Sequence, residues 1–307
     1  MKLWIAPYGV DKKPNGFLIK FQSQDFRAGY ADCRPWPVFN DASVEEHMEL
    51  LKNRKLNALL KRTIFFAHLD GVAREEKRSL WPNLVRLRSH FTLFDLAQLS
   101  SDDFLQKIRE QGFRTLKLKV GRDLAKEIPL CLRLGEKNWF RLRLDFNGVD
   151  AEPFLKKMSS LFLSQIDLIE DPGVFNQTHW LQLESRYGIK TALDQATSFD
   201  TKSAIEDKAH FAKIIKPARE NQFARAQDVI TNSLDHPIGQ AFAALQAQHS
   251  IERLGLQTRD YGLQSAHLFE PNPYFAQMST GTAYFQAIPG AGIGFDELLE
   301  REPWTAI

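Results

Sequence analysis

Five charged residues recur along the middle of the sequence at intervals of about 25 residues, the length of one strand–helix unit. In chain order they are Lys119, Asp145, Glu170, Asp194 and Lys216. Each stands at or near the end of a short apolar run, so parallel strands would bring all five to one mouth. Three carboxylates held together in a partly desolvated cavity repel one another. The spacing therefore predicts a site for a divalent cation.

Magnesium suits this set best, because it takes all-oxygen ligation from few protein groups and leaves positions open for water and substrate; manganese is an alternative. Lys119 and Lys216 flank the predicted metal, and Lys117 precedes Lys119 by two positions in "TLKLKVG". A second ammonium group and a nearby dication both favour the neutral form of a lysine, which is then a base. The set predicts removal of a proton next to a carboxylate, with the metal stabilising the enediolate that forms.

The elements that must position these residues follow from the hydrophobic pattern. Beyond about residue 90, strands alternate with helical patterns, which indicates a parallel sheet. The candidate strands are residues 89–95, 113–120, 140–146, 166–171, 190–194, 211–216, 228–233 and 263–269. Eight such units predict an α/β barrel. Strand alternation turns Lys117 and Lys119 toward the barrel interior, and likewise Arg141, Arg143 and Asp145.

The first third of the chain has a different pattern. Residues 2–33 carry β-rich segments broken by turn signals such as "KPNG", which predicts an antiparallel meander. Residues 44–82 read as helical and follow a helix-start signal in "RPWPVFNDAS". We predict an α+β capping domain over residues 1–95, completed by the C-terminal tail 285–307, and a catalytic barrel over residues 96–284.

Composition excludes several classes of function. The 40 basic and 38 acidic residues are interspersed and leave a net charge of +2, so no basic stripe predicts binding to nucleic acid or to an anionic membrane. Cys33 and Cys131 are too few for a disulfide framework. No apolar run approaches the roughly 20 residues of a membrane span, and none at the N-terminus suits a signal peptide. A cytoplasmic enzyme acting on a small carboxylate is expected, with its oligomeric state open.

A family resemblance rests on the motifs at the strand ends. The segments "TLKLKVG", "RLRLDFNG", "LIEDPG", "TALDQA" and "KIIKPA" resemble, in order and spacing, the enolase superfamily and its muconate-lactonizing subgroup. Within that subgroup the sequence is most similar to the family of o-succinylbenzoate synthases. The early "GYADCRPWPVFND" resembles their capping-domain loop, and "VITNSLDHPIGQ" resembles their segment at the seventh strand. With "IPGAGIGFDELL" near the end, the resemblance spans nearly the whole chain.

The resemblance implies a modified TIM barrel of the (β/α)7β type. It implies a magnesium-dependent syn-dehydration of 2-succinyl-6-hydroxy-2,4-cyclohexadiene-1-carboxylate to o-succinylbenzoate, a step of menaquinone biosynthesis. The implied magnesium ligands are Asp145, Glu170 and Asp194. Lys119 would take the proton alpha to the carboxylate and return it to the departing hydroxyl, with Lys117 as its companion. Lys216 would stay cationic across the site.

Other polar residues receive roles from the same resemblance or from the strand pattern. Asn232 and Ser233 would face the succinyl or carboxylate end of the substrate. Arg141 and Arg143 are expected to neutralise the acidic cavity, and Arg143 is also a candidate contact for substrate or water. The sequence departs from the family pattern around the triad, at Asp171, Gln195 and the pair Asp235–His236.

Three alternatives stay open. A racemase of N-acylamino acids or an epimerase of dipeptides would use Lys119 and Lys216 as opposing bases, but the isolated Asp260 does not supply the acidic pair expected for a substrate ammonium. A Schiff-base aldolase would use Lys216 to trap a carbonyl and would leave the carboxylates unexplained. A binding protein that kept only the fold would not need both lysines and the complete triad.

Overall fold

The computed structural model describes residues 2–10, 13–37, 40–83, 86–194, 211–220, 224–255, 259–278 and 281–307. An antiparallel sheet of four strands forms the N-terminal part, as the meander pattern predicts. Its strands are β1 (Lys2–Val10), β2 (Lys13–Gln22), β3 (Gly29–Cys33) and β13 (Thr305–Ala306), in the spatial order β13-β1-β2-β3. The last of these comes from the far end of the chain, so the tail completes the sheet.

Two helices cover this sheet, α1 (Val44–Lys52) and α2 (Ala58–Glu75). A capping box begins α1: the Ser43 hydroxyl accepts from the Glu46 N–H, and the Glu46 carboxylate accepts from the Ser43 N–H. The backbones of β3 and α2 approach so closely that a Cβ at Gly29 would lie 1.9 Å from the Ala67 carbonyl oxygen. Only glycine allows this helix to pack directly on the sheet.

A second, parallel sheet forms the barrel. Its seven strands are β5 (Phe91–Leu93), β6 (Thr115–Lys119), β7 (Arg141–Asp145), β8 (Ile166–Glu170), β9 (Thr191–Leu193), β10 (Ala212–Ile215) and β11 (Val229–Ile230). A separate two-stranded parallel sheet is formed by β4 (Arg88–Ser89) and β12 (Asp260–Tyr261). Strands β5 to β11 are neighbours in chain order, which is the arrangement expected of successive βα units. A bridge from Thr231 to Gly262 and the pairing of β12 with β4 link the two edges. The sheet therefore curls into the predicted barrel.

The described helices of the barrel region are α3 (Asp102–Glu110), α4 (Leu124–Lys137), α5 (Glu152–Leu155), α6 (Ser160–Ser164), α7 (Gln177–Tyr187), α8 (Pro237–Leu254), α9 (Pro273–Gln277) and α10 (Asp296–Arg301). Leu116 and Leu118 of β6, like Leu142 and Leu144 of β7, are fully buried in one apolar cluster with residues from α3 and α4. This alternation leaves the intervening lysines and arginines to point inward. None of the helices in the described ranges is long and apolar enough to cross a membrane.

The eighth strand is not where the pattern predicted it. The expectation for residues 263–269 is wrong: the strand is Asp260–Tyr261, and a short 3-10 helix, Ala266–Leu268, occupies the predicted range. The backbone N–H groups of Leu263 and Gln264 both donate to the Ser89 hydroxyl, at 3.0 and 3.1 Å. A side chain thus takes the hydrogen bonds that a continued strand would have given to a neighbouring backbone.

The domain boundary at residue 95 stays a prediction. Strand β5 lies before it in the chain and pairs with β6 in the parallel sheet. The tail, by contrast, returns to the capping region at several points. Ile293 N–H donates to the buried Asp70 carboxylate at 2.7 Å, and Arg74 contacts both Asp70 and Asp296, at 2.6 and 2.5 Å.

Candidate active site

The strand register brings three of the predicted residues to one level of the barrel. Lys119 pairs with Asp145 across β6 and β7, and Asp145 pairs with Glu170 across β7 and β8. Asp194 and Lys216 each follow directly after the last residue of β9 and β10. All five therefore lie at the C-terminal ends of parallel strands, where barrel enzymes assemble their sites.

The three carboxylates form a compact cluster. One oxygen each of Asp145, Glu170 and Asp194 lies within 4.8 Å of the other two. The Glu170 Oε1 atom is buried and accepts no hydrogen bond in the described part of the chain. A buried carboxylate oxygen without a donor is costly unless a cation contacts it. An all-oxygen donor set of this charge fits a hard divalent ion, so the cluster is a divalent-metal site.

Three ammonium groups contact these carboxylates. Lys117 Nζ lies 2.9 Å from Asp145 and also contacts Glu170. Lys119 Nζ lies 2.5 Å from the same Asp145 oxygen, and Lys216 Nζ lies 2.6 Å from Asp194. Three positive groups balance three negative ones. A divalent cation entering the cluster competes with the lysines for the same oxygens.

The charges shift the pKa values in different directions. Burial alone would lower the pKa of Lys117, but the carboxylates of Asp145, Glu170 and Asp194 outweigh it and hold that pKa well above its ordinary value. Burial opposes ionisation of Asp145, yet Lys117 and Lys119 hold its pKa below the usual range. Complete burial raises the pKa of Glu170 to about 7 despite the contact with Lys117, and the two neighbouring carboxylates add to the rise. Glu170 is thus the triad member most easily protonated.

A cavity of about 400 Å³ opens onto this cluster. Its wall includes, besides the three lysines and Asp194, the residues Trp36, His90, Thr92, Phe94, Arg122, Asn147, Thr231, Asn232, Ser233, Gly262, Gln264 and Ser265. The capping region contributes Trp36, whose indole N–H donates to the Ser233 carbonyl oxygen at 2.9 Å. The site therefore lies between the barrel mouth and the loop after β3.

The candidate substrate-binding residues fall into two groups. Asn232 and Ser233 line the cavity, and their contact with the substrate stays a prediction. Arg143 is 1% exposed and contacts Asp167 and His90, each at 2.9 Å, rather than the open cavity. Arg141 also pairs with Asp167, at 2.5 Å. The charge that these arginines neutralise is Asp167, and any contact of Arg143 with the substrate stays a prediction.

The departures from the family pattern have local partners. The Asp171 carboxylate accepts the backbone N–H of Asp194 at 3.0 Å and so helps to place that residue. The Asp235 carboxylate accepts the backbone N–H of Ser233 at 2.8 Å. His236 begins α8, where its ring nitrogen accepts the Ile238 N–H at 3.3 Å. Gln195 lies outside the described residues.

Sequence reasoning missed His90, Thr92 and Trp36 as cavity residues. The signal for the first two was present, because alternation along "SHFTLFD" places positions 90 and 92 on the same inward face. Trp36 has no such periodic signal, since it lies in a loop. Which residues Trp36 contacts depends on how the capping sheet packs against the barrel.

Comparison with known proteins agrees with this geometry. Residues 9–73 match the family described as O-succinylbenzoate synthase, N-terminal domain. The chain is 29% identical over 301 residues to the o-succinylbenzoate synthase of Bdellovibrio bacteriovorus, covering 94% of this chain and 90% of that protein. It is 25% identical over 259 residues to an L-Ala-D/L-amino acid epimerase of Populus trichocarpa, covering 69% and 59%. A mandelate racemase/muconate lactonizing enzyme structure from Roseiflexus sp. has a TM-score of 0.75 at 18% identity, over 95% and 96% of the two chains.

The chain shares its capped-barrel fold with this mandelate racemase/muconate lactonizing enzyme structure, and its carboxylate triad lies between lysines at the barrel mouth. The match of the N-terminal segment and the 29% identity over 94% of the chain are both similarities to o-succinylbenzoate synthases.

Proposed function

We propose that this protein converts 2-succinyl-6-hydroxy-2,4-cyclohexadiene-1-carboxylate to o-succinylbenzoate and water, as a carbon–oxygen lyase of menaquinone biosynthesis. The observation that carries the proposal is the similarity over 94% of the chain to an o-succinylbenzoate synthase. The site supports it chemically, because a metal cluster and two flanking lysines suit the removal of a proton beside a carboxylate. The proposed compartment is the cytoplasm.

The proposed role of each lysine follows from its position in the site. Lys119 takes the proton on the carbon that bears the carboxylate, and the electron pair of that C–H bond forms the new double bond of the ring. The same ammonium group then gives its proton to the hydroxyl on the same face, whose C–O bond breaks and releases water. Lys216 lies on the other side of the cluster and stays cationic, so it stabilises the negative charge that develops. Lys117 holds Asp145 and Glu170 in place.

The proposed ion is magnesium, held by Asp145, Glu170 and Asp194. When bound, it supplies positive charge next to the substrate carboxylate and so acidifies the neighbouring C–H bond. The protein orients this carboxylate toward the triad and leaves the hydroxyl within reach of Lys119. The cavity loop that carries Trp36 limits the access of water from the mouth.

A racemase or epimerase is the nearest rival, because an amino acid epimerase is among the similar proteins. Asp260, the one acidic residue at the eighth strand, does not face the substrate as such an enzyme would require. Its carboxylate contacts Arg88 and accepts the Thr115 hydroxyl at 2.6 Å. It is 5% exposed and already paired on both oxygens. This observation favours dehydration over recognition of an ammonium group.

The test is an ultraviolet assay for the aromatic product in deuterated buffer with magnesium. We expect efficient formation of o-succinylbenzoate, and deuterium incorporation into dipeptides or N-succinyl amino acids that is orders of magnitude slower by kcat/KM. Rapid exchange of an amino acid derivative without dehydration of the precursor would assign the protein to the racemases. Borohydride trapping of a carbonyl substrate on Lys216 would favour the aldolase.

A further inference from the structure

His90 lies between a buried arginine and the cavity. It precedes β5, and its backbone N–H donates to the Tyr261 carbonyl oxygen at 2.7 Å, which fixes the main chain at this point of the barrel. Its ring Nδ1 lies 2.9 Å from Arg143 Nη1, and the ring forms part of the cavity wall. The side chain is only 3% exposed, so its environment is almost entirely protein and cavity.

The contact with Arg143 determines the tautomer of the ring. A guanidinium group has only donors, so His90 Nδ1 must accept and carries no proton. Burial, together with the positive charges of Arg143 and Lys117, holds the pKa of His90 well below its ordinary value, so the ring is neutral. A neutral imidazole without a proton on Nδ1 carries it on Nε2. His90 is therefore a donor at Nε2 and nowhere else on the ring.

This donor has no partner within the protein. His90 Nε2 makes no hydrogen bond in the described ranges. It is also absent from the buried polar atoms that lack a hydrogen-bond partner, so it is accessible to solvent. The atom therefore reaches the cavity. The Cε1 edge of the ring lies against Gly262, where an added Cβ would be 2.9 Å from it. The lack of a side chain at Gly262 thus leaves room for this edge of the ring.

Asn232 presents a second donor on the same wall. Its Oδ1 accepts the Leu234 N–H at 2.9 Å and the Ser265 hydroxyl at 3.2 Å, so its amide NH₂ must point away from both. This NH₂ has no partner among the residues whose placement is described. The Asn232 backbone N–H donates to the Gly262 carbonyl oxygen at 2.8 Å, which places Asn232 beside the glycine that contacts His90.

We propose that His90 is a specificity-determining residue: its Nε2–H donates, together with the Asn232 amide, to oxygen on the substrate's succinyl chain. This inference rests on the proposed function, in which the ring carboxylate lies at the triad. The lysines and the metal site supply charge at that end, while the wall of His90 and Asn232 supplies neutral donors with fixed directions. A ligand without an acceptor on its side chain leaves these donors unpaired in a desolvated cavity. This wall therefore favours ligands whose side chain carries oxygen acceptors.

Two substitutions separate this role from mere support of Arg143. His90→Asn keeps an acceptor near the position of Nδ1 for Arg143 but loses the donor that faces the cavity. His90→Gln keeps a donor near the position of Nε2 but loses the contact with Arg143. Titration calorimetry with magnesium measures the binding of o-succinylbenzoate, of 2-acetylbenzoate, which lacks the terminal carboxylate, and of benzoate, which lacks the chain. Thermal unfolding checks that both variants are folded.

We expect His90→Asn to weaken the binding of o-succinylbenzoate about 10- to 100-fold and that of benzoate hardly at all, with His90→Gln closer to wild type. An effect on 2-acetylbenzoate of the same size assigns the donor to the ketone, and a smaller one assigns it to the terminal carboxylate. Binding by His90→Asn that equals wild type, with His90→Gln impaired, overturns the inference and leaves a structural role. Turnover of the wild type in the same preparation tests the proposed function separately, and its absence would overturn both.

Discussion

The indole N–H of Trp36 donates to the carbonyl oxygen of Ser233 across 2.9 Å, and this bond joins the capping region to the barrel at the mouth of the cavity. A second link supports it: the Asp41 carboxylate accepts the Trp36 backbone N–H at 2.7 Å and pairs with Arg219, which follows β10. The loop after β3 is thus attached to two barrel segments. We expect this attachment to govern access to the cavity.

Replacing Trp36 with Phe keeps an aromatic ring over the mouth and removes the bond to Ser233. We expect KM for the cyclohexadiene substrate to rise about 3- to 10-fold with kcat little changed, because a lost hydrogen bond of about 1 kcal/mol affects closure and not the chemistry. Steady-state kinetics measures both constants. Trp139→Phe is the matched control, since Trp139 lies beside Arg109 and Lys137 away from the cavity. An unchanged KM for Trp36→Phe would show that this bond does not control access.

Glu170→Gln removes one of the three negative charges from the metal site without changing its shape. We expect the variant to lose magnesium binding and at least 100-fold of kcat, while remaining folded, because two carboxylates cannot replace the charge of three. Glu110→Gln changes an exposed carboxylate that accepts a hydrogen bond from the Gln106 amide at 2.9 Å, and it should behave as wild type. Calorimetry with magnesium and the ultraviolet assay give the two readouts. Wild-type activity that persists in excess chelator would contradict the assignment of the metal site.

The pH dependence of metal binding follows from Glu170. Burial raises its pKa to about 7, so below that pH the carboxyl is protonated in the metal-free protein and an incoming cation must displace the proton. The affinity for magnesium should therefore fall as the pH is lowered through 7, by up to about tenfold per pH unit. Calorimetry in buffers of different ionisation enthalpy should detect proton release at pH 6. Equal affinities at pH 5.5 and pH 8 would mean that Glu170 is ionised throughout.

Gly262 tests how tightly the cavity wall is packed. A Cβ at this position would lie 2.6 Å from Thr231 Cγ2 and 2.9 Å from His90 Cε1. We expect Gly262→Ala to lower kcat/KM at least 10-fold and to destabilise the fold by about 1–3 kcal/mol, because neither neighbour can move without disturbing the wall. Gly281→Ala, where an added Cβ meets nothing within 4 Å, should be neutral. Chemical unfolding and kinetics compare the two, and similar results for both would refute the close packing.

We expect different effects on turnover and metal binding when Lys119 or Lys117 is replaced. Lys119→Ala should abolish turnover at every pH between 6 and 10, because it removes the proposed base, whose ammonium group contacts both Asp145 and Asn147. Lys117→Ala should lower turnover without weakening metal binding, since Lys117 contacts two of the ligands and competes with the cation for their oxygens. Rapid-quench kinetics at saturating magnesium separates the effects. Near-normal turnover by Lys119→Ala would end the proposed mechanism.

The sequence predicted the barrel strands and the cluster better than it predicted the wall around them. The triad and lysines were recognisable because each ends a strand, and the parallel register then brings them together without further information. Residues 263–269 failed as a strand because the Ser89 hydroxyl takes two of their N–H groups. That contact joins residues distant in the chain. Trp36 likewise has its role through Ser233, about 200 positions away, which no local pattern encodes.

The return of the tail to the capping sheet sets the order in which the protein can be completed on the ribosome. Strand β1 is synthesised first, but its partner β13 follows only after the whole barrel, roughly 300 residues later, or about 15–60 seconds at ordinary rates of translation. Until then one edge of β1 has no neighbour, and such edges attract other strands. The nascent capping sheet is therefore a point at which chaperone binding or aggregation competes with folding.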